Sequence, residues 1–279
     1  MNFPKHFIAS IENTTGFNKE GFIDVHQNVV PITSVRKNER KIPTESNPVI
    51  EVNASSVPWC TAGSYLPIRP SFILDPLWHV GAYYVQEASS MFVDHIIKTI
   101  VPKPTNEVVL DICAAPGGKT TLLLNHFQNG LVVANETIKN RNQILVENVT
   151  KWGAQNIVVT QNDPAQFSSV SQMFDVVLAD APCSGSGLFR RDPDAMSEWS
   201  VDHVTHCSIR QKRIVEEIMP AVKEGGYLIY STCSYSIEED ENIMAFIANK
   251  DQWENVSISI PAQWGIVATE SQNVQGYRF

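Results

Sequence analysis

The chain has 279 residues, 43% of them hydrophobic, the composition of an ordinary globular protein with a substantial core. Its formal charge of -9, from 21 Lys and Arg against 30 Asp and Glu, excludes a generally basic surface that would hold nucleic acid by itself, so any such binding is local or supplied by another part of a longer protein. No apolar run approaches the ~18 to 20 residues of a membrane helix, the start MNFPKHFIASIENTTGF lacks a signal-peptide pattern, and the chain reads as cytoplasmic.

Up to about residue 70 the pattern is that of a small α+β unit, with helices over Lys5 to Ile11 and Lys19 to Gln27 and a β-like run at Ile32 to Val35. Prolines at 43, 48, 58, 67, 70 and 76 then mark turns and extended connections. The segment YYVQEASSMFVDHIIKTI, from Tyr83 to Ile100, has apolar residues at helical spacing, and Pro102 and Pro104 close it. Basic residues cluster at Arg36, Lys37, Arg40 and Lys41, at Arg190 and Arg191, and at Arg210, Lys212 and Arg213. Solvated surface charge is the expectation for each cluster taken alone.

Beyond residue 106 strands and helices alternate. EVVLDICAA, GLVVANE, IVVTQND, FDVVLADAP and GGYLIYSTC read as strands, with helices at KTTLLLNHF, KNRNQILVENVTKWG and VTHCSIRQKRIVEEIMPAVK. Continuous apolar strands separated by helices predict a parallel sheet covered on both faces, and its ligands belong beyond the carboxyl ends of the strands.

The first of these strands ends in DICAAPGGKT, where Gly117 and Gly118 let the backbone approach a ligand and aim amide donors at it. The segment lacks the glycine spacing of dinucleotide folds and of phosphate loops, which disfavours a nicotinamide enzyme or an ATPase. Glu136, at the end of the second strand, can accept both hydroxyls of a ribose. Asp163 and Asp180 end the third and fourth. Three acidic strand ends suit a ligand with ribose hydroxyls, an exocyclic amine and a positive charge, and S-adenosylmethionine has all three. The five cysteines, at 60, 113, 183, 207 and 233, form no close pair of the kind a zinc site or redox motif needs, which favours reduced thiols and no metal. DAPCSGSG and STCSYS bring Cys183 and Cys233 to one edge of the sheet. From the residues alone, Cys183 is open to being the reactive group, a helper or a small residue in a tight loop.

DICAAPGGKT, Glu136, DAPCSGSG, LFRRDPD, RQKRIV and YSTCSYSIEEDEN, with PSFILDPLWHVGAYYVQEASSMF upstream, resemble the Sun (Fmu) family of RNA cytosine-5 methyltransferases. TSVRKN and the PWC of residues 58 to 60 are similar to its RsmF-type branch, which modifies 16S ribosomal RNA. The resemblance implies an α/β fold, a Rossmann-like S-adenosylmethionine-dependent methyltransferase sheet over residues 76–279, with a small N-terminal α+β domain over residues 1–75 that contacts RNA. It implies that Cys113, Ala114, Ala115, Pro116, Gly117, Gly118 and Lys119 line the cofactor, that Glu136 holds its ribose and Asp163 its adenine, and that Asp180 lies between cofactor and target base. Cys233 would be the nucleophile and Cys183 the residue needed for product release, with Arg141 near the cofactor. Ribosomal RNA is the implied partner ahead of transfer RNA, and a monomer the implied state. The family usually continues past GYRF into a further glycine-rich segment, so the chain is expected to be a truncated one or part of a longer protein.

The chemistry explains the two thiols. Carbon 5 of cytosine is too electron-poor to take a methyl group directly. A thiolate that adds to carbon 6 turns carbon 5 into an enamine carbon that can attack a sulfonium methyl. A donor at nitrogen 3 or the carbonyl oxygen lowers the barrier, and protonated Asp180 is the candidate. A base must then remove the carbon 5 proton, the task that suits Cys183. Cys233 needs activation, by Lys119 or by proton transfer as the base binds. Arg190, Arg191 and Arg210 are candidates for RNA phosphates, against salt bridging with Asp192, Asp194 or Glu238. Gln86 and Tyr84 could shape the pocket from a preceding helix, with core packing expected of Tyr84. Beside an amino-methylating enzyme, which needs no thiol and typically has an Asp/Asn-Pro-Pro-aromatic loop where DAPC stands, two rivals remain: a DNA-type enzyme in which the Pro-Cys pair makes Cys183 the nucleophile, and a non-catalytic RNA-binding or ribosome-assembly protein. The second thiol motif favours Cys233 over the first, and the full acidic and cysteine set disfavours the second.

Overall fold

The structure is a computed structural model describing residues 3–42, 53–250, 252–271 and 274–279. Pro43 and Pro48 of the expected connection lie outside the described residues. In chain order come α1 (Phe7–Ile11), α2 (Lys19–Asn28), β1 (Thr33–Lys37), β2 (Ser55–Val57), β3 (Cys60–Leu66), α3 (Pro76–His79), β4 (Tyr83–Val85) and α4 (Phe92–Ile100). Then follow β5 (Val108–Asp111), α5 (Gly118–His126), β6 (Leu131–Asn135), α6 (Lys139–Trp152), β7 (Ile157–Thr160) and β8 (Phe174–Asp180). The last group is α7 (Pro193–Glu198), α8 (Val201–Ile218), β9 (Val222–Ser231), α9 (Glu241–Ala248), β10 (Val267–Ser271) and β11 (Val274–Arg278). The chain divides into two compact units: Met1–Pro31, Asp180–Met219 and Tyr230–Phe279 make one, and Ile32–Ala179 with Pro220–Ile229 makes the other.

The second of these carries the main sheet, in the order β7-β6-β5-β8-β9. The pairings β6 with β7, β5 with β6 and β5 with β8 are parallel, with Asp111 in register with Ala134 and Leu178. The strands are apolar along their length because the sheet is covered. Val109, Val132, Val176 and Leu178 are fully buried, packed with Ile97 of α4, Leu122, Leu123 and Leu124 of α5 and Trp152 of α6. α6 stops where Gly153 takes up the left-handed conformation at φ +80.

A smaller antiparallel sheet in the same unit has the order β2-β3-β1-β4. Here the structure corrects the expected helix over Tyr83 to Ile100. Its first part is β4, with Tyr84 in register with Arg36 and Val85 with Val35; the helix α4 begins only at Phe92, after a 3-10 turn at Ser89–Met91. Tyr83, Tyr84 and Val85 have the aromatic and β-branched character of a strand, and the partner β1 decides the outcome that apolar spacing left ambiguous. Tyr84 and Gln86 are therefore presented from and just after a strand.

In the other unit, α2 is capped by Asn18, whose side chain accepts from the Gly21 amide. An aromatic cluster joins Phe7 and Ile11 of α1 to Phe189, Trp199 and Val204, with Phe3, Phe22 and Tyr235 against it. The antiparallel hairpin β10–β11 and helix α9 complete this unit. None of the three was read from the sequence.

Candidate active site

The glycine turn grows out of β5. Asp111 at its end is fully buried, and its Oδ2 accepts from Thr120 Oγ1 of α5 at 2.6 Å, which closes the intervening loop. Gly117, at the N-cap of α5, sits at φ +111, a left-handed conformation that glycine takes without strain. A Cβ at Gly118 would lie 3.4 Å from the Tyr84 ring and 3.5 Å from the Gln86 amide nitrogen. Those two side chains thus form a wall of this turn.

Arg36 supports the turn. The sequence places it in a cluster expected to be solvated, and the structure corrects this, since Arg36 is 1% exposed. Its Nη2 donates to the Gly118 carbonyl at 3.1 Å and to Thr121 Oγ1 at 2.6 Å, its Nε donates to Gln86 Oε1 at 2.7 Å, and its guanidinium lies 4.8 Å from the Trp152 ring centroid. These partners and the stacking are what let a guanidinium be buried at all. Burial nevertheless pulls its pKa down, against the attraction of Cys60 and Asp94. No hydrophobic periodicity marks an arginine in this role, so sequence reasoning missed it.

Glu136 follows β6 directly and is 3% exposed. Its Oε1 accepts from the Ile138 amide at 2.9 Å, while Oε2 is buried without a hydrogen-bond partner among the described residues. Arg141 Nη1 lies 3.4 Å from that oxygen, and Arg141 Nη2 donates to the Ala115 carbonyl at 2.8 Å, tying the acid to the turn. A buried carboxylate oxygen with spare lone pairs is a ready acceptor for ribose hydroxyls, so the residues fit the cofactor that the sequence suggested. Asp163 is engaged locally: it caps the 3-10 helix Pro164–Ser169, accepting from the Ala165 amide at 3.0 Å in a capping box with Gln166. A carboxylate offers about four lone-pair sites, so such a cap leaves acceptor capacity for a ligand amine.

The thiol pair lies in the other unit. Cys183, in the loop after β8, and Cys233, just after β9, are both outside any disulfide, with their sulfurs 3.2 Å apart. Cys233 is exposed and Cys183 half-buried. The Cys183 thiol is pushed well above its usual range, first by the hydrogen bond to Cys233 and next by burial. The two thiols thus share one hydrogen bond, in which either sulfur can be the donor. Two glycines shape the loop. Gly185 sits at φ +76, and the Gly187 amide donates to the Cys233 carbonyl at 2.7 Å, where a Cβ on Gly187 would come within 2.3 Å of that oxygen. Asp180, at the end of β8, accepts on Oδ1 from Ser231 Oγ at 2.8 Å.

Beneath the pair is Glu239, fully buried and overlooked in the sequence because EED reads as a solvated charge run. Its Oε1 accepts from the Ser184 amide at 2.8 Å and Gln211 Nε2 at 3.1 Å, and its Oε2 from Ser184 Oγ at 2.5 Å and Ser234 Oγ at 2.6 Å. Next to it Asp240 accepts from Thr232 Oγ1 and lies 3.0 Å from Arg278 of β11, which also pairs with Glu241. Of the arginines suggested for phosphate, Arg190 donates to the Val29 carbonyl at 3.0 Å and Arg210 approaches Cys207 Sγ at 3.4 Å. Asp192, one of the expected salt-bridge partners, caps α7 through the Asp194 amide.

Comparison with known proteins adds to this. A family model described as 16S rRNA methyltransferase RsmB/F matches residues 98–277, and one for the N-terminal domain of 16S rRNA methyltransferase RsmF matches residues 3–88. The ribosomal RNA small subunit methyltransferase F of Shewanella loihica is 36% identical over 223 residues, covering 75% of this chain and 45% of the relative. That of Vibrio cholerae serotype O1 is 37% identical over 200 residues, covering 69% and 41%. The chain spans less than half the length of these curated relatives. Among solved structures, a methyltransferase homolog protein from Pyrococcus horikoshii matches with a TM-score of 0.67 and 28% identity over 84% of this chain and 79% of that one. NSun6 from Pyrococcus horikoshii with SFG has a TM-score of 0.74 at 19% identity, over 92% and 90%, a likeness of fold.

Proposed function

The chain belongs to the 16S rRNA methyltransferase RsmB/F family, and from that premise we propose that it is an RNA (cytosine-5)-methyltransferase acting on small-subunit ribosomal RNA with S-adenosylmethionine as methyl donor. The observation that carries the reading is the pair of reduced thiols whose sulfurs lie 3.2 Å apart and share a hydrogen bond. A methyltransferase that needs only to bring a methyl group to an amine has no use for this arrangement.

We assign the turn Cys113 to Lys119 and the carboxylates Glu136 and Asp163 to the cofactor, with the spare Glu136 Oε2 as acceptor for the ribose. Bound there, S-adenosylmethionine would supply an electrophilic sulfonium methyl. A cytosine taken out of its stack is attacked at carbon 6 by Cys233, and Asp180 stabilises the charge pushed into the ring. Cys183 acts last. The hydrogen bond to Cys233 is the largest reason that its thiol is hard to ionise. Once the Cys233 sulfur is bonded to carbon 6 it accepts that hydrogen bond weakly. Cys183 then loses its proton to solvent more readily and can remove the carbon 5 proton, directly or through a water, after which Cys233 departs.

Residues 1–75 we propose as an RNA-contacting part, supported by the separate N-terminal family match. The cytoplasmic, monomeric, metal-free enzyme is part of the same reading and rests on the family. Among the described residues no helix is long and apolar enough to cross a membrane, and no group of three metal-ligating side chains occurs. The test is to incubate wild type, Cys183→Ala and Cys233→Ala with 16S ribosomal RNA fragments and methyl-labelled cofactor. The Cys183 variant alone is expected to accumulate a covalent RNA adduct. An adduct that survives loss of Cys233 reverses the assignment, and a wild type that transfers no methyl favours the non-catalytic rival.

A further inference from the structure

Glu239 takes no direct part in the chemistry proposed above, yet its carboxylate accepts four hydrogen bonds. It is fully buried, and a buried carboxylate is tolerated only when its lone pairs are matched by donors. Three of its four side-chain hydrogen bonds come from the residues that directly follow the reactive thiols, and the fourth from Gln211. Ser184, which gives both its amide and its hydroxyl, follows Cys183, and Ser234 follows Cys233. Gln211 of α8 donates to Glu239 and to the carbonyl of Pro182, the residue before Cys183. Tyr230, on β9 ahead of Cys233, donates its hydroxyl to the Glu239 carbonyl at 2.7 Å. Ser234 is fixed further, its hydroxyl accepting from the Ser236 amide at 3.0 Å and its amide donating to Thr232 Oγ1 at 3.0 Å. One side chain thus joins two loops 50 residues apart in sequence, at the position adjacent to each sulfur.

We propose that Glu239 is a positioning residue whose carboxylate clamps the Cys183 and Cys233 loops together and so sets the separation of the two sulfurs. The use of that separation rests on the proposed function: two groups that act in turn on neighbouring ring carbons must be held close and at fixed spacing. The clamp itself does not depend on that reading.

The test therefore has one arm without RNA and one with it. In the first, reduced protein is treated with diamide, an azo compound that takes up two electrons and two protons as two thiols become a disulfide. The rate of the Cys183–Cys233 disulfide is followed by peptide mass spectrometry. Wild type is expected to close this bond rapidly, Glu239→Ala at least about tenfold more slowly, and Glu239→Gln within about threefold of wild type, because its amide keeps one acceptor and can donate to the two serine hydroxyls. Alkylation of buried Cys207 is expected to be unchanged in both, whereas a general loosening of the fold would raise it. In the second arm, Glu239→Ala is expected to accumulate RNA adduct as Cys183→Ala does, while Glu239→Gln turns over.

A folded Glu239→Ala that closes the disulfide at the wild-type rate overturns the proposal. If that variant does not fold, the Ser184→Ala, Ser234→Ala double variant decides in its place: a slowed disulfide supports the clamp and a wild-type rate overturns it. Slowed closure with no adduct or methyl transfer even in wild type would leave the clamp standing and sink the proposed function instead.

Discussion

From Asp111 to Thr121 the cofactor-type turn is shaped by the main chain: Gly117 at φ +111 opens α5, and Arg36 supports it through the Gly118 carbonyl and Thr121. Around Cys183 and Cys233 side chains do most of the shaping, through Glu239, Ser184, Ser234 and Gln211, with main chain meeting main chain closely at Gly187. A main-chain site presents amides and carbonyls, which substitutions other than proline leave in place, so it fails mostly when its support or its space is lost. A side-chain site fails when an acceptor is lost, and it can be retuned one residue at a time.

The largest effect is expected where the main-chain site loses its support. Arg36→Ala leaves Gln86 Oε1 without its arginine donor, takes one of two side-chain donors from the Gly118 carbonyl and uncovers the Trp152 face, at a cost of about 4 kcal/mol by chemical denaturation. Calorimetric affinity for S-adenosylmethionine is expected to fall with it, while disulfide closure between Cys183 and Cys233 stays near wild type in the folded fraction. Equal damage to both would break the distinction. Gly187→Ala is the converse. A Cβ at 2.3 Å from the Cys233 carbonyl oxygen displaces that loop, costing about 2 to 3 kcal/mol and most of the methyl transfer while cofactor affinity is kept.

Glu136→Gln sharpens the contrast at smaller cost. Substituting an amide where Oε2 is free to accept is expected to weaken cofactor binding roughly tenfold, about 1.4 kcal/mol, with thiol reactivity untouched. The last effect is a slope rather than a step. Burial pushes Asp240 from 3.8 up to about 7, outweighing the attraction of Arg278. The folded state therefore binds this proton more tightly than the unfolded chain, so the stability it contributes is present below the unfolded pKa and is lost as pH rises through about 7. Melting curves across that window should decline in wild type and be flatter in Asp240→Asn.

Much of this was legible in the sequence, and for identifiable reasons. The strand and helix alternation from Val108 to Ser231 was readable because buried parallel strands are continuous apolar runs, and the motif cysteines could be paired because both follow such strands. β4 was misread because YYV sits in a stretch whose apolar spacing also suits a helix, and only its pairing with β1 decides. Arg36 and Glu239 were invisible for a deeper reason. A buried charge looks like a surface charge in sequence, since what buries it is a set of donors or acceptors that the fold brings from far away.

The distances along the chain carry a last consequence. The glycine turn is closed by Thr120 on Asp111, nine residues apart, whereas the thiol pair is closed across 50. Local contacts form early and distant ones late, because loop closure must precede their reward. During synthesis on the ribosome, a growing chain can carry a formed turn while Cys183 is still a solitary thiol, and the two sulfurs meet only after the segment that carries Cys233 has emerged.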